Sequence, residues 1–250
     1  MCAQNFQGGR ILKKLSNTQK RILCFIGLGV IFILMGNSNN SPEIFIQRIF
    51  KPISSNNSTF NYAGFIVIGG IYYFLYKLNE IKENRLIKTG FRRVIVTMVI
   101  INMFPTVWND CVQFYKGFYK DLNSIYLTRE NTYININKNE EMITIDGQID
   151  IKNCGDETKE FYIKIKSPAV VKEDIDKDYI TIDEKYILHT KEEKTLYINQ
   201  ELMEKGDSKY TGYGVRGFEY ILFNNEDEIV FEGTASEYKY DNRDLSYLME

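Results

Sequence analysis

The chain has 250 residues and a formal net charge of −2, with 26% charged and 14% aromatic residues. This composition excludes a disordered or fibrous chain, and the length is sufficient for one or two domains with a buried core. The charge is unevenly divided, since residues 1–125 hold 15 basic and 5 acidic side chains whereas residues 126–250 hold 16 and 28. A basic, apolar half before an acidic half predicts a membrane region followed by a water-facing domain, and the acidic half disfavours nucleic acid as a partner.

Three apolar stretches without an ionised side chain lie in the first half, and we expect transmembrane helices at about residues 22–41, 59–77 and 94–109. The first two have the roughly 20 residues that a spanning helix requires. The third is marginal, because its strongly apolar part is short, it contains Asn102, and Pro105 removes a helical hydrogen bond. The alternative for each stretch is a buried core helix of a soluble protein.

The loops between these stretches differ in basic charge and predict an orientation. Five basic residues precede the first stretch, two separate the first from the second, and six separate the second from the third. Because Lys and Arg accumulate on the cytoplasmic side, residues 1–21 and the basic loop 77–93 are predicted to be cytoplasmic. Three crossings then place residues 110–250 outside the cytoplasm, whereas two would leave them inside. We expect a multi-pass protein of the cell membrane whose C-terminal domain is extracytoplasmic.

The segment 110–125 carries five large apolar side chains at roughly helical spacing, Phe114, Tyr115, Phe118, Tyr119 and Leu122. It contains one glycine and no serine or proline enrichment before Ser124. We therefore expect a helical stalk that links the third span to the next domain, rather than a flexible linker.

From about Tyr126 onward, isoleucines recur at every second position, as at Ile134 and Ile136 and again at Ile143 and Ile145. This period is typical of strands with one buried and one exposed face. About eight such strands, separated by Asn, Gly and Asp, predict an all-β antiparallel sandwich of immunoglobulin-like kind over residues 126–240, with a tail at 241–250. Residues 146–147 (Asp-Gly) mark either a tight hairpin or a bulge in one long strand.

No catalytic or cofactor motif is recognisable. The four cysteines lack a C-x-x-C pair, and a bridge between Cys111 and Cys154 stays open as one alternative to two free thiols. The single histidine, His189, ends a predicted strand, where we expect it to be exposed or merely packed. We therefore predict a protein that is not an enzyme, with no cofactor.

Two motifs are weak candidates for binding. Asp174, Asp176 and Asp178 resemble the opening of a calcium loop, but Tyr179 and Lys185 stand where such a loop needs glycine and glutamate. A weak calcium site and a solvated acidic turn both remain readings of that segment. The second motif matches the letters G-x-G-x-x-G but precedes a strand-like segment instead of a helix, so we expect a flexible loop or bulged strand entry that touches a partner. Its candidate contact residues are Gly212, Tyr213, Gly214, Arg216 and Gly217.

These observations favour a membrane-anchored, non-enzymatic interaction or accessory module at the cell envelope, whose partners are the lipid bilayer and another protein. Alternatives are a ligand sensor that signals through the helices to the basic cytoplasmic loop, a subunit of a membrane transport complex, or a hydrolase with a scattered carboxylate pair. The Ile-, Asn- and Lys-rich, Ala-poor composition indicates an AT-rich, bacterial genome.

Overall fold

The computed structural model describes residues 16–55, 58–81, 88–139, 142–168, 171–172, 175–203, 210–233 and 236–241. These residues form the helices α1 (Asn17–Met35), α2 (Phe45–Ile49), α3 (Ala63–Glu80) and α4 (Gly90–Lys116). A short hairpin of β1 (Ile53–Ser55) and β2 (Ser58–Phe60) precedes α3. The remaining strands are β3 (Ile125–Asn139), β4 (Met142–Asn153), β5 (Lys159–Lys166), β6 (Tyr179–Leu188), β7 (Glu193–Met203), β8 (Tyr210–Arg216), β9 (Tyr220–Phe223), β10 (Glu228–Phe231) and β11 (Ser236–Asp241).

The chain divides into two compact units, and neither is continuous in sequence. The helical unit comprises Met1–Gly36 and Phe45–Pro105, and the β unit comprises Asn37–Ile44 and Thr106–Glu250. The segment between α1 and α2 therefore belongs to the β unit, together with the last turns of α4.

In the helical unit, α1 begins with a capping box, in which Ser16 accepts from the Gln19 amide while the Gln19 side chain accepts from the Ser16 amide. Helix α3 buries one stripe along its length, Ala63, Val67, Ile71, Leu75 and Leu78. Gly27 of α1 lies directly against the ring of Phe74, and Gly70 of α3 lies against Ile31. Small residues at these points let the two helix backbones approach closely, as in packed membrane helices.

Among the described residues, two helices are long and apolar enough to cross a membrane, α1 and α4. The third apolar stretch, 94–109, which we expected to be marginal for a span, lies in the long helix α4, which continues through Pro105. The polar side chain of Asn102 is satisfied within this helix, because its amide nitrogen donates to the Met98 carbonyl. The stretch expected at 59–77 falls short. It lies mostly in α3, whose last turn carries an ion pair between Lys77 and Glu80.

The β unit contains two antiparallel sheets with a common core. One has the strand order β11-β8-β3-β4-β7 and the other β10-β9-β5-β6. The alternating isoleucines of β3, β4 and β5 all face inward, so the period-two pattern identified the buried face correctly. Fully buried Phe161 and Phe231 complete the core between the sheets.

The structure decides one open alternative and corrects another expectation. Of the two possibilities for residues 146–147, one long strand is correct, because Gly147 lies inside the uninterrupted strand β4, opposite Ile134 and Ile198, and forms no hairpin. The irregularity is on the partner strand β3, where four residues bulge out between Thr128 and Tyr133. The predicted helical stalk 110–125 is also shorter than expected, since α4 ends at Lys116 and a 3-10 turn, Leu122–Ser124, leads into β3.

Candidate functional site

A polar cluster of the β unit joins the segment after α1 to the end of α4 and to β3. We call it the mounting cluster, and it consists of Asn37, Asn39, Asn40, Lys116 and Arg129. Its members come from three places in the sequence, and hydrogen bonds join members that are 76 and 90 positions apart.

Asn39 is the centre of this cluster. Its side-chain amide donates to the Leu127 carbonyl at 2.8 Å, and its side-chain oxygen accepts from the Leu127 amide at 3.0 Å. The side chain therefore pairs with β3 as a neighbouring strand would. Asn39 is buried and adopts φ 60°, a left-handed conformation that asparagine tolerates better than most residues.

Lys116 fills the space beneath this segment. Its ammonium donates to the Ile125 carbonyl at 2.8 Å, the Asn40 side-chain oxygen at 3.0 Å and the Asn123 carbonyl at 3.2 Å. The ring of Phe231 lies 5.4 Å from the same nitrogen, within reach of a cation–π contact. Burial lowers the pKa of Lys116 to about 8, against weak opposing effects of Cys154 and Asp121. The lysine thus holds three neutral oxygens together.

Arg129 closes the cluster from the bulge in β3. One guanidinium nitrogen donates to the Glu232 carbonyl at 2.9 Å and the other to the Asn39 carbonyl at 3.0 Å. The Glu232 amide in turn donates to the Asn40 carbonyl at 2.7 Å. Trp108 of α4 donates its indole N–H to the Asn37 carbonyl at 2.9 Å. The bulge redirects Arg129 toward the segment, a use of bulges that is common near functional positions.

A second feature of the β unit is a polar cleft of about 450 Å³, lined by residues 120–122, 157–162, Lys185 and 224–227. The Lys159 side chain is only 8% exposed, and its ammonium contacts the Glu157 carboxylate at 3.2 Å and the Lys120 carbonyl. Lys185 pairs with Glu160 at the rim. The lining holds five carboxylates and three ammonium groups, so the cleft suits a small polar or cationic ligand rather than an apolar one.

No protein-family model matches the sequence, and no curated protein resembles it significantly. The function therefore has to be inferred from the geometry of the chain itself.

Of the three aspartates of the calcium-like motif, the structure describes Asp176 and Asp178, and Asp174 lies outside the described residues. Asp178 forms an ion pair with Lys172. Asp176 has φ 49° and is exposed, as expected for a turn. Within the described residues, no group of three His, Cys, Asp or Glu side chains is placed to hold a metal ion.

The glycine-rich motif is a strand and not a loop over most of its length. Gly212, Tyr213, Gly214 and Arg216 belong to β8, which pairs with β11 along its length and with β3 at Tyr213 and Gly212. Only Gly217, with φ 71°, lies in the connection to β9. The loop alternative therefore applies only to residues 217–219, where the chain passes from one sheet to the other, and the contact with a partner stays a prediction.

Of the two thiols predicted to lie outside the cytoplasm, Cys154 is close enough to Lys116 of the mounting cluster to interact with it electrostatically. Cys111 and Cys154 are free, the first exposed and the second buried, and burial raises the pKa of the Cys154 thiol. His189 is exposed in the turn after β6, where its backbone amide donates to the Glu192 carboxylate at 2.6 Å.

Sequence reasoning missed the mounting cluster. Residues 37–40 (Asn-Ser-Asn-Asn) follow an apolar helix, and such polar residues are normal at the end of a span. A signal was nevertheless present: Lys116 lies between Tyr115 and Phe118 in the predicted stalk, and a lysine between aromatic residues needs acceptors if it is buried.

Proposed function

We propose that the chain is a membrane-anchored protein with three crossings, whose immunoglobulin-like β unit stands outside the cytoplasm and serves as a non-enzymatic interaction module of the cell envelope. Its protein partner binds the β unit, and the helices hold that unit at the membrane. The apolar helices α1 and α4 support the anchoring, and the two antiparallel sheets with their shared core support a binding domain.

The mounting cluster is the observation that carries this proposal. A flexible tether would suffice to keep a domain near the membrane, but here Asn39, Lys116 and Arg129 fasten the residues after α1 and the end of α4 to the same sheet. The residues that follow α1 and the last turns of α4 are thus parts of the β unit itself. This supports a folded module that is attached to the anchor through ordered segments rather than through a flexible linker.

The topology is tested by labelling single cysteines in intact cells with a membrane-impermeant maleimide, in a background in which the four native cysteines are replaced. Exposed positions are available at Lys51 in the predicted outer loop, Lys88 in the predicted inner loop and Tyr197 on β7. We expect labelling at Lys51→Cys and Tyr197→Cys, and protection of Lys88→Cys until the cells are permeabilised.

Protection of Tyr197→Cys in intact cells, with labelling after permeabilisation, would contradict the outward orientation of the β unit. The choice of labelling position in the β unit follows from exposure. Tyr197 is 72% exposed and accessible to the maleimide. A position such as Asn153 is unsuitable, because it is fully buried and its side chain bonds to the Gly155 amide and the Glu157 carbonyl.

The polar cleft favours a second candidate function, a sensor that binds a small polar or cationic ligand and signals through the helices to the basic loop 77–93. This candidate function predicts that a mixture of small cationic metabolites, added to the full chain in detergent, raises its unfolding temperature. Lys159→Met removes an ammonium from the cleft wall and is expected to change that response, whereas Lys194→Met on the exposed side of β7 is the control. An identical response in both variants would exclude the cleft as the binding site.

A further inference from the structure

Beyond Asp110, helix α4 has two faces with different surroundings. One face contacts the strands of the β unit: Gln113 accepts from the ammonium of Lys152 on β4 at 2.9 Å, and Lys116 is buried in the mounting cluster. The other face carries Phe114 and Tyr115, and Phe118 follows directly after the helix. We call these three residues the aromatic stripe.

The aromatic stripe is exposed to an unusual degree. Phe114, Tyr115 and Phe118 are 73%, 60% and 70% exposed, and Cys111 one turn earlier is exposed as well. The ring of Phe114 packs edge-on against Phe118 at 5.0 Å between centroids, and the ring of Tyr115 packs edge-on against Tyr119 at 5.4 Å. A contiguous patch of large aromatic rings is seldom left to water, and it indicates a surface that something else covers.

The position of the stripe along α4 indicates what covers it. The uncharged residues 94–109 span about 24 Å at a rise of about 1.5 Å per residue, against a hydrocarbon thickness of about 30 Å. Centred on that stretch, the hydrocarbon ends about 3 Å beyond Asn109, and the headgroup layer occupies roughly the next 5–7 Å. Phe114 and Tyr115 lie about 7.5 and 9 Å beyond Asn109, and helical side chains lean back toward the N-terminus. Phe118 follows the end of the helix, and its ring packs back against Phe114 at 5.0 Å.

We propose that the aromatic stripe inserts into the lipid headgroup layer at the C-terminal end of α4 and thereby fixes how deeply that helix sits in the bilayer. The proposal rests on the membrane anchoring proposed above. The occupant is a lipid surface because the stripe continues, on the same helix, the apolar run that enters the bilayer. Tyrosine rings suit this layer, since the ring contacts acyl chains while the hydroxyl stays hydrated, and the hydroxyls of Tyr115 and Tyr119 lie 2.7 Å apart.

The test places a nitroxide label at single cysteines of the full chain in nanodiscs of phosphatidylcholine and phosphatidylglycerol. Labels at Phe114→Cys and Phe118→Cys report the stripe. Val99→Cys, an exposed position in the apolar run, is the lipid control, and Tyr197→Cys on β7 is the water control. Power saturation with oxygen and with a nickel chelate measures lipid and water access. We expect nickel access at both stripe positions to be about threefold lower than at Tyr197→Cys, with oxygen access between the two controls.

Three results would overturn the proposal, and they differ from one another. Stripe labels as open to nickel as Tyr197→Cys, with Val99→Cys still in lipid, would leave the span intact and place the stripe in water. Shielding of the stripe from both reagents would mean that protein covers it, either a second copy or a partner. Nickel access at Val99→Cys would mean that α4 does not cross the bilayer, and the anchoring itself would then fail.

The single tryptophan of the chain gives an independent readout of helix depth. Trp108 lies six residues before Phe114 on α4, and its emission is quenched by lipids brominated at shallow or deep acyl positions. In the variant with Phe114, Tyr115 and Phe118 changed to serine, the ratio of shallow to deep quenching should shift by about 1.5-fold or more, because the helix has lost its depth marker. The matched variant Tyr133→Ser with Tyr197→Ser should not shift it, and equal ratios in all three proteins would overturn the proposal.

Discussion

The side chain of Asn39 forms the two hydrogen bonds that a residue of a neighbouring strand would form, although Asn39 lies outside any sheet. Its amide group pairs with both backbone groups of Leu127, which would otherwise lack partners at that point. A buried backbone group without a partner costs about 1–3 kcal/mol, so this single side chain stabilises the β unit strongly.

Asn39→Ala should lower the free energy of unfolding of the β unit by about 2–4 kcal/mol, because the variant loses both hydrogen bonds and places a Cβ-bearing residue without a polar side chain at φ 60°. Asn39→Gly separates the two effects, since glycine adopts that φ freely and loses only the hydrogen bonds. Urea unfolding of the full chain in detergent, followed by pulse proteolysis, measures both. The exposed Asn199→Ala is the control, and equal stabilities of Asn39→Ala and Asn199→Ala would contradict the assigned pairing.

Lys116 makes the stability of the β unit depend on pH. Its pKa is lowered from 10.5 to about 8 by burial, so the folded state releases the proton first. Between about pH 8 and 10.5 the unfolded chain binds more protons at this site, and the contribution of Lys116 to stability rises with pH by up to about 1.4 kcal/mol per pH unit. Below about pH 8 Lys116 is protonated in both the folded and the unfolded chain, so its contribution to the unfolding free energy no longer changes with pH and has its lowest value.

The measurement is the difference in unfolding free energy between the unsubstituted chain and Lys116→Met from pH 7 to 10. That difference should increase above pH 8 in favour of the unsubstituted chain. Taking the difference removes the effect of Tyr220, whose raised pKa acts with the opposite sign above about pH 10. Asn199→Ala, an exposed control without an ionisable group, should give a flat difference; a flat difference for Lys116→Met as well would contradict the buried state of the ammonium.

At the scale of elements, the close approach of α1 and α3 depends on which glycine faces the neighbour. A Cβ at Gly27 would enter the ring of Phe74, whereas a Cβ at Gly29 would meet nothing within 4 Å. The two positions lie in one helix two residues apart, and they form a matched pair for testing the packing.

Gly27→Leu should destabilise the helical unit by about 1–3 kcal/mol through overpacking, and Gly29→Leu should leave it nearly unchanged. Thermal unfolding in detergent, followed by helical circular dichroism, compares the two. The double variant Gly27→Leu with Phe74→Ala should recover part of the loss, because it removes the ring that the leucine displaces. If the two single variants behaved alike, α1 and α3 would not pack through this face.

The elements differ in how far the sequence predicts them, and the difference follows from the range of the interactions. The inward isoleucines of β3, β4 and β5 were predictable because a period of two is a local signal of one-sided burial. The full length of helix α4 was harder to predict, since Pro105 and Asn102 both argue locally against a membrane-spanning helix. The hydrogen bond from the Asn102 side chain to the Met98 carbonyl removes the cost of an unpaired amide at that position. The strand character of Gly212 and Tyr213 depends on pairing with Asn137 and Ile136, some 75 residues earlier, and no local pattern reports it.

The candidate site was the least predictable part for the same reason. Asn39 and Leu127 are 88 positions apart, and Asn40 and Lys116 are 76 apart. An asparagine after an apolar helix satisfies every local rule as a solvated cap, so its role depends entirely on what folds against it later.

At the scale of the whole molecule, the β unit is interrupted in sequence by α2, the β1–β2 hairpin and α3. A fragment of residues 106–250 lacks the segment that satisfies Leu127, Arg129 and Lys116. We expect it to unfold at a lower temperature than the β unit of the full chain, and a synthetic peptide of residues 37–44 added in excess to raise its unfolding temperature by several degrees.

The control for this experiment is the same peptide with alanine in place of Asn39 and Asn40, which should have no effect. Calorimetric titration of both peptides into the fragment gives a second readout of the interaction. A fragment as stable as the full chain, and indifferent to either peptide, would show that the segment is not part of the folding unit.

The 88-residue separation between Asn39 and its pairing position sets an order of events during synthesis. At about 5–20 residues per second, the ribosome needs about 4–18 s after making Asn39 to deliver Leu127. Throughout that delay the Asn39 side chain lacks its native partner on β3, while the helices α2, α3 and α4 are being produced. The β unit can therefore take up residues 37–44 only after β3 has been made, so its assembly cannot be completed before the intervening helices have left the ribosome.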